Sequence, residues 1–405
     1  MSSPVDPYGH EAGGNDADAG DVGLLSPACA GTTVERLTSD RALVDAMVHA
    51  EAALLHALVD AGVAPQEAAH AAASLTAAEV DPRELALDAV AGGNPVIPLV
   101  KLLRVQAGPA ATEWVHHGAT SQDILDTALM LVSANVLAQL ESDLARIAAA
   151  LARLADENRD VPVVARTLTQ QAMPTTFGMR TAGWLAGIHD ATLVLRTCAL
   201  PVSLGGPVGT AAAYGSDGPV VVDAFAARLD LRAPVLAWHT RRTPVLELSA
   251  ALTQVVEACG KIAADVLVLS QSEVGEVREG DGGGSSSMAH KSNPARSVLV
   301  ASAARQAPAL ASVVAASAVA EQERPGGAWH AEWQPLRMLL RLAGGAAEHT
   351  AQLLEQLRLD RDAMAANLDL LVMKLGRDPA WVASQTEHVS VWIDRVLARQ
   401  KELFG

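Results

Sequence analysis

No glycine or proline interrupts the chain between Ala119 and Val161. Across that stretch apolar residues recur at three- and four-residue spacing: Ile124, Leu125, Leu129, Val132, Val136, Leu140, Leu144, Ile147, Leu151 and Leu154. This is the period of an amphipathic helix. Thr120 followed by Asp123 fits a capping box at its start, with Asp in place of the usual Glu or Gln. A helix of about 38 residues spans roughly 57 Å at ~1.5 Å per residue. That exceeds the width of an ordinary domain, so the chain is expected to fold around an elongated bundle.

Further long helices are predicted from Pro244 to Val277, from Ala295 to about Arg324 with a kink at Pro308, and from Arg180 to Leu200. Strand signals are sparse, the best being Val220–Val222. Half of the residues are hydrophobic but only 3% are aromatic, so the core is expected to be Ala, Leu and Val. Such helices pack closely through small side chains and bury their remaining apolar surface in an oligomer. The fold class expected is all-α. The expected organisation is a disordered acidic tail over 1–24, an N-terminal helical domain over 25–118 and a long-helix bundle over 119–365. The bundle contains a loop at 280–294, and a C-terminal helical segment covers 366–405.

The formal net charge of -16 argues against nucleic acid or an anionic membrane surface as partner, since both require a basic face. Five of the acidic residues fall in the first 21 positions, which hold no Lys or Arg. Cys29, Cys198 and Cys259 are widely spaced and form no CxxC pair, which fits reduced thiols in a cytoplasmic protein. No secretion signal opens the chain and no uninterrupted apolar run reaches membrane-spanning length. No cluster has metal-ligand spacing, so neither metal nor cofactor is expected.

Five stretches carry polar groups that chemistry can use. "GGGSSSMAHKSNP" (282–294) places Lys291 and Asn293 after a glycine–serine run, but lacks the spacing of a phosphate-binding loop. It reads either as a plain linker or as a loop that closes over a ligand, with a serine as base and Lys291 and Asn293 on a carboxylate. "WVHHGATSQD" (114–123) gathers His116, His117, Thr120 and Ser121 where a long helix begins, a place suited to an anion and equally explained by capping. "ARTLTQQAMPTTFG" (165–178) sets Arg166, Thr167, Thr169, Gln170 and Gln171 together; its bland reading is a solvated helix face. "WHTRR" (238–242) and "ERPGGAWHAEW" (323–333) each put arginine beside histidine and tryptophan. A polycarboxylate ligand on so acidic a protein needs a locally positive pocket, for which Arg166, Arg242 and Arg324 are the candidates.

Together these stretches resemble the fumarase/aspartase/argininosuccinate lyase superfamily from about Leu25 to Leu370. Its signature, approximately G-S-S-x-M-P-x-K-x-N-P, is matched by Gly284 to Pro294 except at Ala289. "HHGATSQD" and "RTLTQQAMPTT" look like its two other active-site regions. Within the superfamily, "GGNPVIPLVK", "LGGPVGT", "AWHT" and "RPGGAWHAEWQPLR" resemble the bacterial 3-carboxy-cis,cis-muconate cycloisomerases. The resemblance implies a homotetramer with active sites shared between subunits, a small polycarboxylate substrate and no cofactor. It implies that the 280–294 loop is a lid, that Ser285 abstracts the proton, and that Lys291 and Asn293 bind a carboxylate and stabilise the carbanion. Thr120, Ser121, Thr167, Gln170 and Ser286 are implied as further substrate contacts, and His116 matches a histidine of variable role.

Relatives that expel an amine or hydroxide often carry histidine where this chain has Leu168. A carboxylate leaving group, with a pKa of roughly 4, departs without a general acid. Lactonisation of 3-carboxy-cis,cis-muconate is therefore the expected reaction. A lyase releasing nitrite and fumarate from nitrosuccinate is the alternative. The C-terminal helical segment is shorter than the superfamily's, which leaves a catalytically weakened helical scaffold as a third reading.

Overall fold

The computed structural model describes residues 23–280, 283–284, 288 and 291–405. The acidic stretch up to residue 22, and Ser285 and Ser286 in the loop, lie outside them. Among the described residues, five helices precede the long one: α1 (Thr33–Leu37), α2 (Asp40–Asp60), α3 (Gln66–Ala72), α4 (Pro82–Gly92) and α5 (Val96–Ala107). Next come α6 (Ser121–Glu157), a hairpin of β1 (Pro162–Thr167) and β2 (Gln170–Thr176), and α7 (Phe177–Arg196). They are followed by α8 (Gly218–Leu229), α9 (Thr243–Leu269), β3 (Val277–Arg278), α10 (Ala295–Ser317), α11 (Ala328–Glu355) and β4 (Arg358–Leu359). The remaining elements are α12 (Arg361–Leu375), α13 (Pro379–Thr386) and α14 (Val389–Phe404).

The all-α expectation holds: among the described residues the strands form two small antiparallel pairs, β1 with β2 and β3 with β4. The long uninterrupted stretch is α6, 37 residues from Ser121 and therefore about 55 Å long at ~1.5 Å per residue. Near its start Asp126 meets Arg242, just before α9, and Trp329 in the first turn of α11. Near its far end Arg146 reaches Glu355, the last residue of α11. So α6, α9 and α11 run the same way. α7 runs back, because Gly178 donates to the Asn158 carbonyl while Arg196 reaches Glu141. α10 also runs back, its Arg296 meeting Gln352 near the end of α11. Small residues set the spacing of this five-helix bundle: a Cβ on Gly260 of α9 would stand 2.6 Å from Ala304 of α10.

Four local expectations change. The helix predicted to reach Val277 ends at Leu269; Gly275 is left-handed at φ 61° and Val277 lies in β3. Val220–Val222 is not a strand. It lies in α8, whose first turn holds Pro219, a position where a missing N–H costs nothing. Residues 165–176 are not a helix face but most of the hairpin. The helix predicted to reach Arg324 stops at Ser317 and continues through Pro308. Three helices (α2, α6 and α10) are long and apolar enough to cross a membrane by length and composition, although charged residues interrupt them. In α2 and α6 most of the apolar stretch is buried inside the chain; in α10 only 28% is.

Candidate functional site

The candidate residues collect at the two ends of α6. At its start the chain turns through His116 and Gly118, both left-handed at φ 64° and 73°. Glycine is required at 118, because a Cβ there would meet the Tyr214 ring at 2.5 Å. Tyr214 in turn donates its hydroxyl to the His117 carbonyl at 2.8 Å. Thr120 is the N-cap, and its N–H donates to Asp123 Oδ2 at 3.0 Å.

Asp123 is fully buried and organises this end. Oδ1 accepts from the Gly205 N–H at 2.9 Å and the Ser203 hydroxyl at 3.2 Å, and lies 2.6 Å from His239 Nε2. Oδ2 also accepts from the Gly206 N–H at 2.9 Å. A buried carboxylate is tolerated only when its lone pairs are filled in this way. The "LGGPVGT" and "AWHT" stretches thus converge on one side chain. Gly206 is left-handed at φ 70°, and a Cβ there would strike the Gly118 carbonyl at 2.7 Å.

One turn deeper, Arg242 is 4% exposed. Its guanidinium bridges Asp126 (2.7 and 3.1 Å) and Glu332, above the Trp238 ring. The expectation that Arg242 offers a free cation is corrected here: its donors are spent on two buried carboxylates. One cation cannot neutralise both. Burial raises Glu332 to about 7, a rise that Arg242 offsets in part and Asp126 reinforces. Arg324 does face the candidate anion site, donating to Thr120 Oγ1 at 3.1 Å and Gln122 Oε1 at 3.2 Å.

His116 was flagged by its type, but its partner was not. Nδ1 lies 2.6 Å from Oε1 of Glu51, a fully buried residue of α2. Burial works against the imidazolium, yet Glu51 and then Asp123 outweigh it and hold the His116 pKa above the ordinary value. Glu51 lies among alanines and leucines, and nothing in its sequence neighbourhood marks it. His239 and Asp123 stand 116 positions apart, so their pairing was equally invisible.

The other end of α6 carries the remaining candidates. Thr167 and Gln170 face one another across the hairpin tip. The two turn residues, Leu168 and Thr169, have φ of 48° and 68°, an uncommon conformation for residues other than glycine and one that clusters at functional sites. Leu168 is 96% exposed. Arg166 pairs with the fully buried Glu276 at 2.7 Å, joined there by Arg180 and Asn367. It is therefore held against the strand that leads into the 280–294 loop. The neck of that loop is closed by reciprocal bonds between Gly283 and Asn293, each 2.8 Å. Glu279 fixes its exit, accepting from the Ser297 N–H and hydroxyl at 2.8 and 2.6 Å. Lys291, Asn293 and Arg278 line a cavity of about 570 Å³.

Lys291 and Asn293 are thus brought together, as are Thr120, Ser121 and Arg324, and as are Thr167 and Gln170. The first-end group is separated from the other two by the length of α6. Among the described residues, no group of His, Cys, Asp and Glu could hold a metal ion.

Comparison with known proteins matches the family described as "Lyase" over residues 20–308. Nitrosuccinate lyase of Streptomyces davaonensis is 47% identical over 371 residues, covering 86% of this chain and 77% of that protein. The 3-carboxy-cis,cis-muconate cycloisomerase of Pseudomonas aeruginosa is 42% identical over 342 residues, covering 82% and 74%. The crystal structure of the 3-carboxy-cis,cis-muconate lactonizing enzyme from Pseudomonas putida superposes with a TM-score of 0.85 at 30% identity, covering 95% of this chain and all of that one.

Proposed function

Because the chain belongs to the lyase family of the fumarase/aspartase superfamily and is an enzyme of the lyase or isomerase type, we propose a specific chemistry for it. It moves a proton on a carbon beside a carboxylate of a small polycarboxylate while a weakly basic anion leaves or adds. The observation that carries this reading is Leu168, exposed at the tip of the hairpin. An aliphatic side chain there supplies no proton to a leaving group, so the departing anion must be stable alone. Lys291 and Asn293 take the carboxylate whose negative charge grows as the proton is removed, with Ser285 as the base. Thr120, Ser121 and Arg324 take a second carboxylate, and Thr167 and Gln170 a third contact. No metal or cofactor takes part in this scheme.

Nitrosuccinate is the leading substrate. Its elimination removes a proton from the methylene carbon, expels nitrite from the adjacent nitro-bearing carbon and leaves fumarate. The 47% identity to nitrosuccinate lyase over 86% of the chain favours it. Cycloisomerisation of 3-carboxy-cis,cis-muconate is the second reading, favoured by the superposition over all of the Pseudomonas putida enzyme; there the leaving or adding group is the substrate's own carboxylate. The test is nitrite release from nitrosuccinate beside loss of diene absorbance from 3-carboxy-cis,cis-muconate, with wild type and Ser285→Ala. Turnover of one substrate by wild type alone selects that reading. Turnover of neither removes both.

The active enzyme is a homotetramer in this proposal. A helix as apolar as α10 with only 28% of that stretch buried calls for a covering surface, and a second copy of the chain supplies it. The length of α6 supports the same conclusion, since Thr120 and Thr167 of one chain cannot touch one small substrate. Sedimentation or light scattering giving a mass near four times 41.9 kDa is expected; a monomer would overturn it.

A further inference from the structure

We propose that Glu51 is the positioning residue for His116, holding its imidazole by Nδ1 so that Nε2 is presented, as an imidazolium N–H, to a carboxylate of the substrate. The inference rests on the reading of the first end of α6 as part of the active site. Four features lead to it.

Glu51 sits in the middle of α2, fully buried, and an ionisable side chain is rarely placed there unless it is paired. Its partner is the His116 ring at 2.6 Å. Its second oxygen, Oε2, is buried without any hydrogen-bond partner. Stability alone does not favour such an arrangement, because a half-satisfied buried carboxylate costs more than an apolar side chain of the same shape. His116 itself is held at φ 64°, a left-handed backbone state uncommon for residues other than glycine. Nε2 has no hydrogen-bond partner among the described residues, and the side chain keeps 16% exposure. The ring is thus anchored on one nitrogen and open on the other, four residues ahead of the Thr120 cap, whose hydroxyl accepts from Arg324.

A carboxylate on one ring nitrogen fixes the tautomer and raises the basicity of the other, as in hydrolase triads and metal-bound histidines. Charged groups on three elements face this ring: Glu51 on α2, Asp123 on α6, and Arg104 on α5, which opposes the other two. The Tyr214 phenol, near both carboxylates, is held strongly neutral by burial. The balance favours the imidazolium, and an anionic substrate arriving at Nε2 favours it further. His116 in this role binds charge and orients substrate; no bond to it is made or broken.

The test begins without substrate. Histidine ring proton resonances of the intact protein are followed against pH, with His116 identified by its absence in His116→Asn. The expected result is a midpoint above that of an ordinary histidine in wild type, and a lower midpoint in Glu51→Gln. A wild-type midpoint at or below the ordinary value overturns the proposal, whatever the variants do. If Glu51→Gln does not fold, Glu51→Asp takes its place: the charge is kept but withdrawn, and the midpoint falls by less.

Kinetics on whichever substrate wild type turns over then reads the function. Glu51→Gln is expected to lower kcat/KM about 10- to 100-fold, the range for residues that orient a working group, mainly through KM. The alkaline limb of its pH profile is expected to move to lower pH. In a His116→Asn background, Glu51→Gln should have little further effect. A Glu51→Gln loss that persists there, or an unmoved limb, would mark Glu51 as merely structural. Absence of wild-type turnover would instead sink the proposed function, leaving the titration result standing.

Discussion

The two ends of α6 are built on opposite plans. At the start, every candidate rests on a buried polar frame: Asp123 gathers five donors, Arg242 clamps two carboxylates, and Glu51 holds His116. At the far end the frame is thinner: Glu276 holds the hairpin and Glu279 the loop exit, while the residues beyond them, Leu168 above all, stand in solvent. One end completes its geometry within a chain. The other displays its side chains to solvent. Preorganisation is thus complete within one chain at the first end, whereas in the proposed tetramer the far end is completed by assembly.

The sharpest way to break this contrast is at Arg242. Arg242→Met leaves Asp126 and Glu332 facing one another without a cation. Loss of about 3–5 kcal/mol of stability is expected, as for other broken buried pairs, read by urea unfolding. A loss under 1 kcal/mol would mean that the first end is not prestressed by its charges. At the far end, Glu276→Gln weakens the bonds from Arg166 and Arg180, whose side chains are 17% and 15% exposed. A cost of about 1.5–3 kcal/mol is expected, together with a larger effect on activity than on the fold.

Glu332 adds a pH dependence confined to the first end. Its folded pKa, about 7, is raised above its unfolded value. The stability it contributes is therefore complete below the unfolded value of roughly 4.3 and is lost as pH rises through about 7. Glu332→Gln should flatten the wild-type curve over that window by something on the order of 1 kcal/mol. A wild-type stability that rises across the window relative to the variant would contradict the assignment. Smallest of all, Leu168→Ala is expected to change unfolding by less than about 0.5 kcal/mol while altering turnover. Equal indifference in both measurements would show that the tip meets no substrate or neighbour.

Both ends were only partly legible in the sequence, despite their quoted motifs. α6 was legible because its apolar period is unbroken from Ile124 to Leu154. α11 was not, because Pro335, Gly344 and Gly345 interrupt it with residues that argue against a helix. The two glycines are there for contact: a Cβ on Gly345 would drive into the Ala28 carbonyl, and one on Gly344 into Val34. The hairpin escaped notice for the opposite reason. Its turn uses Leu168 and Thr169 in the left-handed region instead of the Asn–Gly or Asp–Gly pair that normally signals such a turn. The serine, lysine and asparagine of the loop stood out by motif, whereas Glu51, Glu276 and Glu332 became visible only when the chain closed on them.

The length of α6 finally bears on quantity as well as geometry. If the groups for one substrate are held about 55 Å apart along a rigid rod, a dissociated chain holds fragments of sites and no whole one. Specific activity would then follow mass action, falling steeply below the dissociation constant of the assembly instead of staying proportional to protein. A dilution series at fixed substrate would reveal this as upward curvature in rate against enzyme concentration, and added inactive Ser285→Ala chains would bend the curve by occupying places in mixed assemblies.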